Sequence, residues 1–271
     1  MTSQQPPDSQ EGTEAPPNTG TDQRSPDDSL WGVVDVLREV VRRFETDPVL
    51  ALPFVCAGLL LASVDVWRRR DPLPVSRPDS LSRTLEVQAT VVPSGVPRTV
   101  RRVDALVDLQ ATYLVAGVGL ELFVPLVLAI AGWLTVGRAS THSRTLGGLV
   151  RYLGVVLAVV TVPTLFDVPT VDVPSLFVGL LLLVVGAFLT VRMFLVPGYV
   201  IAGDSLVTAV RRSVRASTGN GLAILGLAVG FGTLSWALTK LFGPVGGGVS
   251  TIFGGAVHAV ALAVLVDWST T

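Results

Sequence analysis

Long apolar runs that contain almost no charge are the feature that most constrains this chain. Such runs occur at residues 49–67, 112–136, 150–166, 176–196, 221–241 and 249–267. A run of about 20 residues, at about 1.5 Å per residue, matches the hydrocarbon core of a bilayer. The pattern predicts an all-α, polytopic transmembrane helix bundle. We expect six spans, with five as the alternative because the third run is short and contains Pro163.

The chain before the first run has a different composition. Residues 1–28 are acidic, rich in Pro, Gln, Ser and Thr, and nearly free of large apolar side chains. A segment of this kind cannot bury enough surface to offset the entropy lost on ordering. We therefore predict a disordered acidic tail over residues 1–28 and a membrane domain over residues 29–271.

The connection between the first two runs has its own pattern. Apolar residues from Leu85 to Val91 alternate with polar ones, and Pro93-Ser94-Gly95 supplies a turn. This alternation predicts a small extramembrane β-hairpin. The connection is too short to hold an independent enzyme domain.

Motifs that would indicate an enzyme are missing from the sequence. It contains no P-loop, no Gly-x-Ser-x-Gly, no His-Glu-x-x-His and only one cysteine, Cys56, so we predict no enzymatic activity, no metal and no cofactor. Gly203-Asp204-Ser205-Leu206 matches the nucleophile block of GDSL hydrolases, but neither His142 nor His258 has the required Asp three residues earlier. We interpret Asp204 or Ser205 as an ordinary helix N-cap.

Two ionisable residues lie inside apolar runs. Glu121 and His258 are each about ten residues into their runs, and a buried ionisable group in a membrane is a functional hypothesis by default. We expect the two residues at comparable depth, where a Glu–His pair could relay a proton or hold a cation. The alternative is a hydrogen bond that joins two helices, worth about 1 kcal/mol.

Small residues recur on one face of each of the last two runs. Gly226 and Gly230 lie in the fifth run, and Gly255 lies in the sixth. Small faces let helix backbones approach closely, so we predict that these glycines pack the two helices as a hairpin. A dimerisation face is the alternative.

Two further segments are amphipathic. Residues 29–45 carry apolar side chains at helical spacing, which is typical either of a helix on the membrane surface or of one packed on protein. In residues 203–217, Leu206, Val207, Val210 and Val214 form one face. The opposite face carries Arg211, Arg212 and Arg215. We predict that these arginines bind anionic lipid headgroups at about 1 kcal/mol each, or only mark the cytoplasmic side.

Arginines near the ends of the runs predict the orientation. They cluster before the first run, between the second and third, and between the fourth and fifth, which favours a multi-pass protein of the cell membrane with both termini cytoplasmic. Residues 67–111 hold eight arginines and oppose this orientation. We follow the orientation that three of the four connections favour.

Short motifs resemble a known group of membrane proteins. Asp47-Pro48-Val49-Leu50 at the start of the first run, and Arg192–Tyr199 followed by Ala209-Val210-Arg211-Arg212-Ser213, resemble uncharacterised six-helix integral membrane proteins. That group is similar to the membrane domain of glycerophosphodiester phosphodiesterases. The acidic tail and the preference for Arg over Lys also look haloarchaeal. The resemblance implies an integral membrane protein without the phosphodiesterase catalytic domain.

These patterns leave two function classes. The first is a membrane-structural or assembly protein that binds membrane lipids and a protein partner or a second copy of itself, but no nucleic acid. The second is a small-solute or proton-coupled transporter that uses Glu121 and His258.

Overall fold

The computed structural model describes residues 32–70, 75–76, 91–94, 100–101, 111–141, 145–165 and 176–270. The predicted tail over residues 1–28 lies outside these ranges. The helices are α1 (Val33–Thr46), α2 (Leu52–Arg70), α3 (Ala111–Ala139), α4 (Leu146–Leu165), α5 (Leu176–Met193), α6 (Val196–Ile201), α7 (Leu206–Ala216), α8 (Gly221–Leu241), α9 (Gly246–Ser250) and α10 (Ala256–Thr270). A 3-10 turn, Pro48–Ala51, leads into α2, and a π-helical turn, Thr251–Gly255, joins α9 to α10.

Five described helical segments are long and apolar enough to cross a membrane. They are Pro48–Arg68, Tyr113–Ala139, Phe177–Ile201, Gly221–Leu241 and Gly246–Thr270. This confirms the multi-pass helical architecture, and within the described residues five segments, where six were predicted, have the length and composition of a span. The described apolar stretch of α4, Leu146–Val159, is shorter than these five segments.

The predicted β-hairpin between α2 and α3 is not seen in the described residues. Two short strands, β1 (Val75–Ser76) and β2 (Val100–Arg101), pair antiparallel there. Residues 91–94 carry no strand, and residues 81–90 and 95, where most of the hairpin was expected, lie outside the described ranges. In the sequence, β1 therefore precedes the predicted hairpin and β2 follows it.

The segment Gly246–Thr270 forms the centre of the bundle. Of its apolar stretch, 78% is buried inside the protein, whereas the other four spans are 22–33% buried. Every residue from Ala259 to Val266 is almost completely buried. Lipid tails are as apolar as leucine, so hydrophobic burial does not drive helices together within a bilayer. The central segment must be held instead by close packing.

Glycines make that close packing possible. Gly248 of α9 lies against Gly58 of α2, so that a Cβ on Gly248 would be 2.6 Å from the carbonyl oxygen of Gly58. In the π-helical turn, a Cβ on Gly254 would lie 2.5 Å from the hydroxyl oxygen of Ser235 in α8. Helices approach this closely only where side chains are absent. The central segment therefore approaches α2 through backbone atoms and α8 through a small serine side chain.

The last two spans do pack as a hairpin, but through other glycines than those predicted. Gly246 lies against the backbone of Thr239, and Gly254 lies against Ser235. By contrast, Gly226 faces Val33 of α1, and a Cβ on Gly230 would meet nothing within 4 Å. The helix α1, which packs on both α8 and α10, covers the face of α8 that carries Gly226.

The third predicted packing glycine, Gly255, also has a different partner. A Cβ at this position would lie 2.7 Å from the ring of Phe54 in α2. Gly255 therefore joins the central segment to the first span and not to α8.

We predict that Gly248→Ala destabilises the bundle while Gly230→Ala does not. The new methyl group at position 248 would meet a backbone oxygen that cannot move cheaply, at a cost of about 1–3 kcal/mol. At position 230 the space is open, and alanine is a better helix former than glycine. The midpoints of thermal unfolding in one detergent measure both effects. Equal midpoints for the two variants would contradict the close approach of α9 to α2.

Candidate interfacial site at the arginine end of the bundle

Arginine side chains hold the helices together at one end of the bundle. Arg138 at the end of α3 donates to the carboxylate of Asp47, which precedes α2, at 2.5 Å. Arg43 of α1 donates to Asp267 of α10 at 2.9 Å and to the carbonyl oxygen of Ala139 at 2.6 Å. We call this side the arginine end. The helix α1 and the last residues of α10 therefore lie at the same end.

The turn between α6 and α7 is attached to the same end. Tyr199 of α6 donates to the hydroxyl of Ser269 at 2.7 Å. Arg151 of α4 donates to the carbonyl oxygen of Gly203 at 3.0 Å. Gly203 has φ 107°, a conformation that glycine adopts easily. These contacts direct α7 across the end of the bundle.

The helix α7 has three faces instead of the two predicted. Its buried face consists of the small residues Ala209 and Ser213, which are 0% exposed. The apolar residues form a second face that remains outside: Leu206 is 53% exposed and Val207 is 64% exposed. The predicted apolar and basic faces are both present, and a third face of small side chains packs on the bundle.

The basic face of α7 is exposed. Arg211, Arg212 and Arg215 all lie on the outside of the protein. Arg212 forms an ion pair with Asp204 at 3.0 Å. For Arg211 and Arg215, no ion pair is present within the described ranges. At 100° per residue the apolar face lies between the buried face and these two arginines.

Arg192 fixes the C-terminal end of α7, a role that sequence reasoning missed. Its guanidinium donates to the carbonyl oxygen of Val214 at 2.8 Å and to the hydroxyls of Ser217 and Thr218 at 3.1 and 2.9 Å. In return, Ser213 donates to the carbonyl oxygen of Arg192 at 2.6 Å. A cation is favourable where helix carbonyls end without partners. The signal available in the sequence was the position of Arg192 in the last turn of α5, close to where a second helix must also end.

The N-terminal end of α7 is capped as predicted. Ser205 accepts a hydrogen bond from the backbone N–H of Thr208 at 3.3 Å, which confirms the N-cap interpretation of the Gly-Asp-Ser-Leu block.

The helix α1 combines the two arrangements left open by the sequence. Val36 and Val40 are buried against the bundle, whereas Val34 and Val41 are 65% and 54% exposed. Its exposed arginines have partners within the helix: Arg38 pairs with Asp35 and Arg42 with Glu39. The helix therefore packs on protein along one face and leaves an apolar face outside along another.

Glu121 lies at the opposite end of the bundle from the arginine end. It accepts a hydrogen bond from Arg68, the last residue of the first span, at 2.8 Å. The predicted mid-membrane position assumed that α3 only just spans the bilayer. The helix has 29 residues and is therefore about 44 Å long, which exceeds a hydrocarbon core of about 30 Å. A residue ten positions into α3 lies in the half of the helix farther from the arginine end.

His258 lies in the middle of the bundle between two phenylalanine rings. Its ring is stacked on Phe194 with centroids 5.0 Å apart and on Phe231 with centroids 5.1 Å apart. The side chain is 1% exposed. Neither ring nitrogen has a hydrogen-bond partner in the part of the chain that the structure describes.

The structure does not bring Glu121 and His258 together. Asp267 accepts from the hydroxyl of Thr141 at 3.2 Å, so the end of α3 and the end of α10 are level. At about 1.5 Å per residue, Glu121 lies about 30 Å from that level along α3, and His258 lies about 14 Å from it along α10. The prediction that they share one depth is wrong.

No protein-family model, curated protein or solved structure matches this chain. The resemblance to the membrane domain of glycerophosphodiester phosphodiesterases therefore stays a prediction. Across the described residues, no three His, Cys, Asp or Glu side chains come together as metal ligands.

We predict that Asp47→Asn lowers stability near neutral pH but not in acid. The hydrogen bond from Arg138 holds the pKa of Asp47 below its ordinary value of 3.8. The stabilisation is therefore fully present above that value and is lost as the pH falls through the lowered pKa. Thermal unfolding of both proteins from about pH 7 down to about pH 2 should show a difference that shrinks in acid. A difference independent of pH would contradict this role.

We predict that His258→Phe is neutral or stabilising. An unpartnered buried polar group costs about 1–3 kcal/mol, and a phenyl ring can keep the stack with Phe194 and Phe231. His258→Ala is the contrasting variant, since the cavity it leaves should cost about 2–4 kcal/mol. Thermal unfolding in detergent compares the three proteins. If Phe destabilises as much as Ala, the imidazole nitrogens have a partner and this interpretation is wrong.

Proposed function

We propose that this protein is a structural or assembly component of the cell membrane and not an enzyme. The observation that carries the proposal is the use of its polar side chains. Glu121, Asp204 and Arg192, each of which could serve chemistry, are instead engaged with neighbouring helices or with a charge of opposite sign. Groups engaged in this way hold helices in place, which is the use expected of a structural protein.

The arginine end supports the same proposal. Two amphipathic helices, α1 and α7, are fixed there by hydrogen bonds to α3, α4, α5 and α10. A surface held at so many points keeps one shape, which lowers the entropic cost of binding a partner. The exposed charged face of α1 and the end of α7 that Arg192 fixes are the part of this surface that a protein partner would meet.

The orientation follows from the positive-inside rule. Arg138, Arg151, Arg211 and Arg215 all lie at the arginine end, and an excess of arginine favours the cytoplasmic side. We place α1, α7 and the end of α10 in the cytoplasmic interface.

The transporter alternative receives less support. It requires Glu121 and His258 to cooperate, and they lie about 16 Å apart in depth by residue count. A Glu121→Gln variant that retained full protein stability and abolished solute uptake would revive it.

We predict that Arg192→Met releases a protein partner and that Lys240→Met does not. Arg192→Met removes the bonds that fix the end of α7, whereas Lys240 is an exposed cation at the other end of α8. The full chain is purified from its native membrane in mild detergent, and co-eluting proteins are quantified by mass spectrometry. We expect a stoichiometric partner with the wild type and with Lys240→Met, and much less with Arg192→Met.

Two results would overturn the proposed function. One is a wild-type protein that elutes without any stoichiometric protein. The other is a partner retained equally by both variants, since the arginine end would then not be the surface that binds it.

A further inference from the structure

Two arginines of α7 stand out from the other arginines of the arginine end. Arg43, Arg138, Arg151 and Arg192 contact carboxylates or backbone carbonyls of neighbouring helices. The exposed arginines of α1 pair with acids of the same helix. Arg211 and Arg215 are exposed and take no part in any such contact inside the described ranges.

The sequence of α7 explains why these charges stay uncompensated. The helix Leu206–Ala216 contains three arginines and no acid. The helix α1, at the same end, contains three acids and three arginines. Asp204 precedes α7, but Arg212 takes it at 3.0 Å. The excess positive charge of α7 is therefore concentrated at Arg211 and Arg215.

The spacing of the two arginines suits a single anionic group. Residues four apart on a helix are neighbours, with Cβ atoms about 5–6 Å apart. Two guanidinium groups at that spacing can converge on one phosphate, to which arginine donates in a bidentate manner.

The neighbouring face selects a lipid as the source of that phosphate. Val207 and Val214 lie next to Arg211 around the helix and are 64% and 37% exposed, and Leu206 is 53% exposed. A free phosphate has no apolar part to cover this surface, whereas a lipid places its headgroup and its chains on adjoining faces of an interfacial helix.

We propose that Arg211 and Arg215 bind the phosphate of an anionic membrane lipid whose hydrocarbon chains lie along Leu206, Val207 and Val214. The inference rests on the proposed interfacial position of α7. It names the lipid chemistry that this position recognises. Of the three arginines predicted to bind lipid, it keeps two and excludes Arg212, which pairs with Asp204.

The test counts the lipids retained by the purified full chain. Native mass spectrometry in a neutral detergent compares phosphatidylglycerol with phosphatidylcholine of identical chains. The double variant Arg211→Gln, Arg215→Gln is set against Arg38→Gln, Arg42→Gln, which removes the same charge from α1 at the same end. We expect selective retention of phosphatidylglycerol to weaken roughly 10- to 30-fold in the α7 variant only, at about 1 kcal/mol per arginine.

Several outcomes overturn the proposal. These are equal retention of the two lipids by the wild type, equal loss in the two double variants, and binding of inorganic phosphate without retention of lipid. An acidic peptide that binds through Arg211 and Arg215 in place of lipid would also overturn it.

A further measurement keeps the test decisive if the double glutamine variant fails to fold. Wild-type selectivity should fall as the salt concentration rises from about 0.05 to 0.5 M, because exposed charges are screened. The variant Arg211→Lys, Arg215→Lys should keep part of the selectivity. Lipid retention that changes neither with salt concentration nor with these substitutions contradicts a phosphate site. The lipid count uses no protein partner, so its failure is distinguishable from failure of the partner experiment.

Discussion

Close contact between backbones at the central segment is the constraint on which the rest of the bundle depends. Between helices in a bilayer the hydrophobic effect contributes little, so dispersion and short-range polar contacts must hold them together. Gly58, Gly248 and Gly254 provide that closeness. Because the central segment buries most of its surface against protein, α1, α2, α3, α6 and α8 can each contact it. The outer helices also pack on one another, most extensively α3 against α2 and α4, and still leave most of their own surface outside the protein.

Arginine has two uses at the end of this bundle. Most of the arginines there bind backbone carbonyls or carboxylates, where a planar group with five donors can join several elements at once. Arg43 joins α1, α3 and α10 in this way. Arg211 and Arg215 have the same chemistry but point away from the protein surface that the others bind. Whether an arginine here is structural or free for recognition thus depends on whether a carboxylate or backbone carbonyl lies within hydrogen-bond distance.

Sequence predicted what depends on single segments and failed where a third element intervenes. Apolar runs predicted the helices, since a backbone in lipid must satisfy its own hydrogen bonds within one segment. The N-cap at Ser205 was likewise local. The packing partners of Gly226 depend on α1, which no spacing within α8 encodes. The level of Glu121 relative to His258 depends on how α3 and α10 align, and the role of Arg192 depends on α7 folding back beside α5.

The order of the helices along the chain has a consequence for biogenesis. The segment that fills the centre, Gly246–Thr270, is translated after every helix that surrounds it. The earlier spans enter the membrane without the surface on which they finally pack. Contacts such as those of α2 with α3 and of α5 with α8 can form first, but Gly58 and Ser235 lack their packing partners until the last segment inserts. Until that moment the bundle lacks its centre, so insertion of the last segment completes this fold.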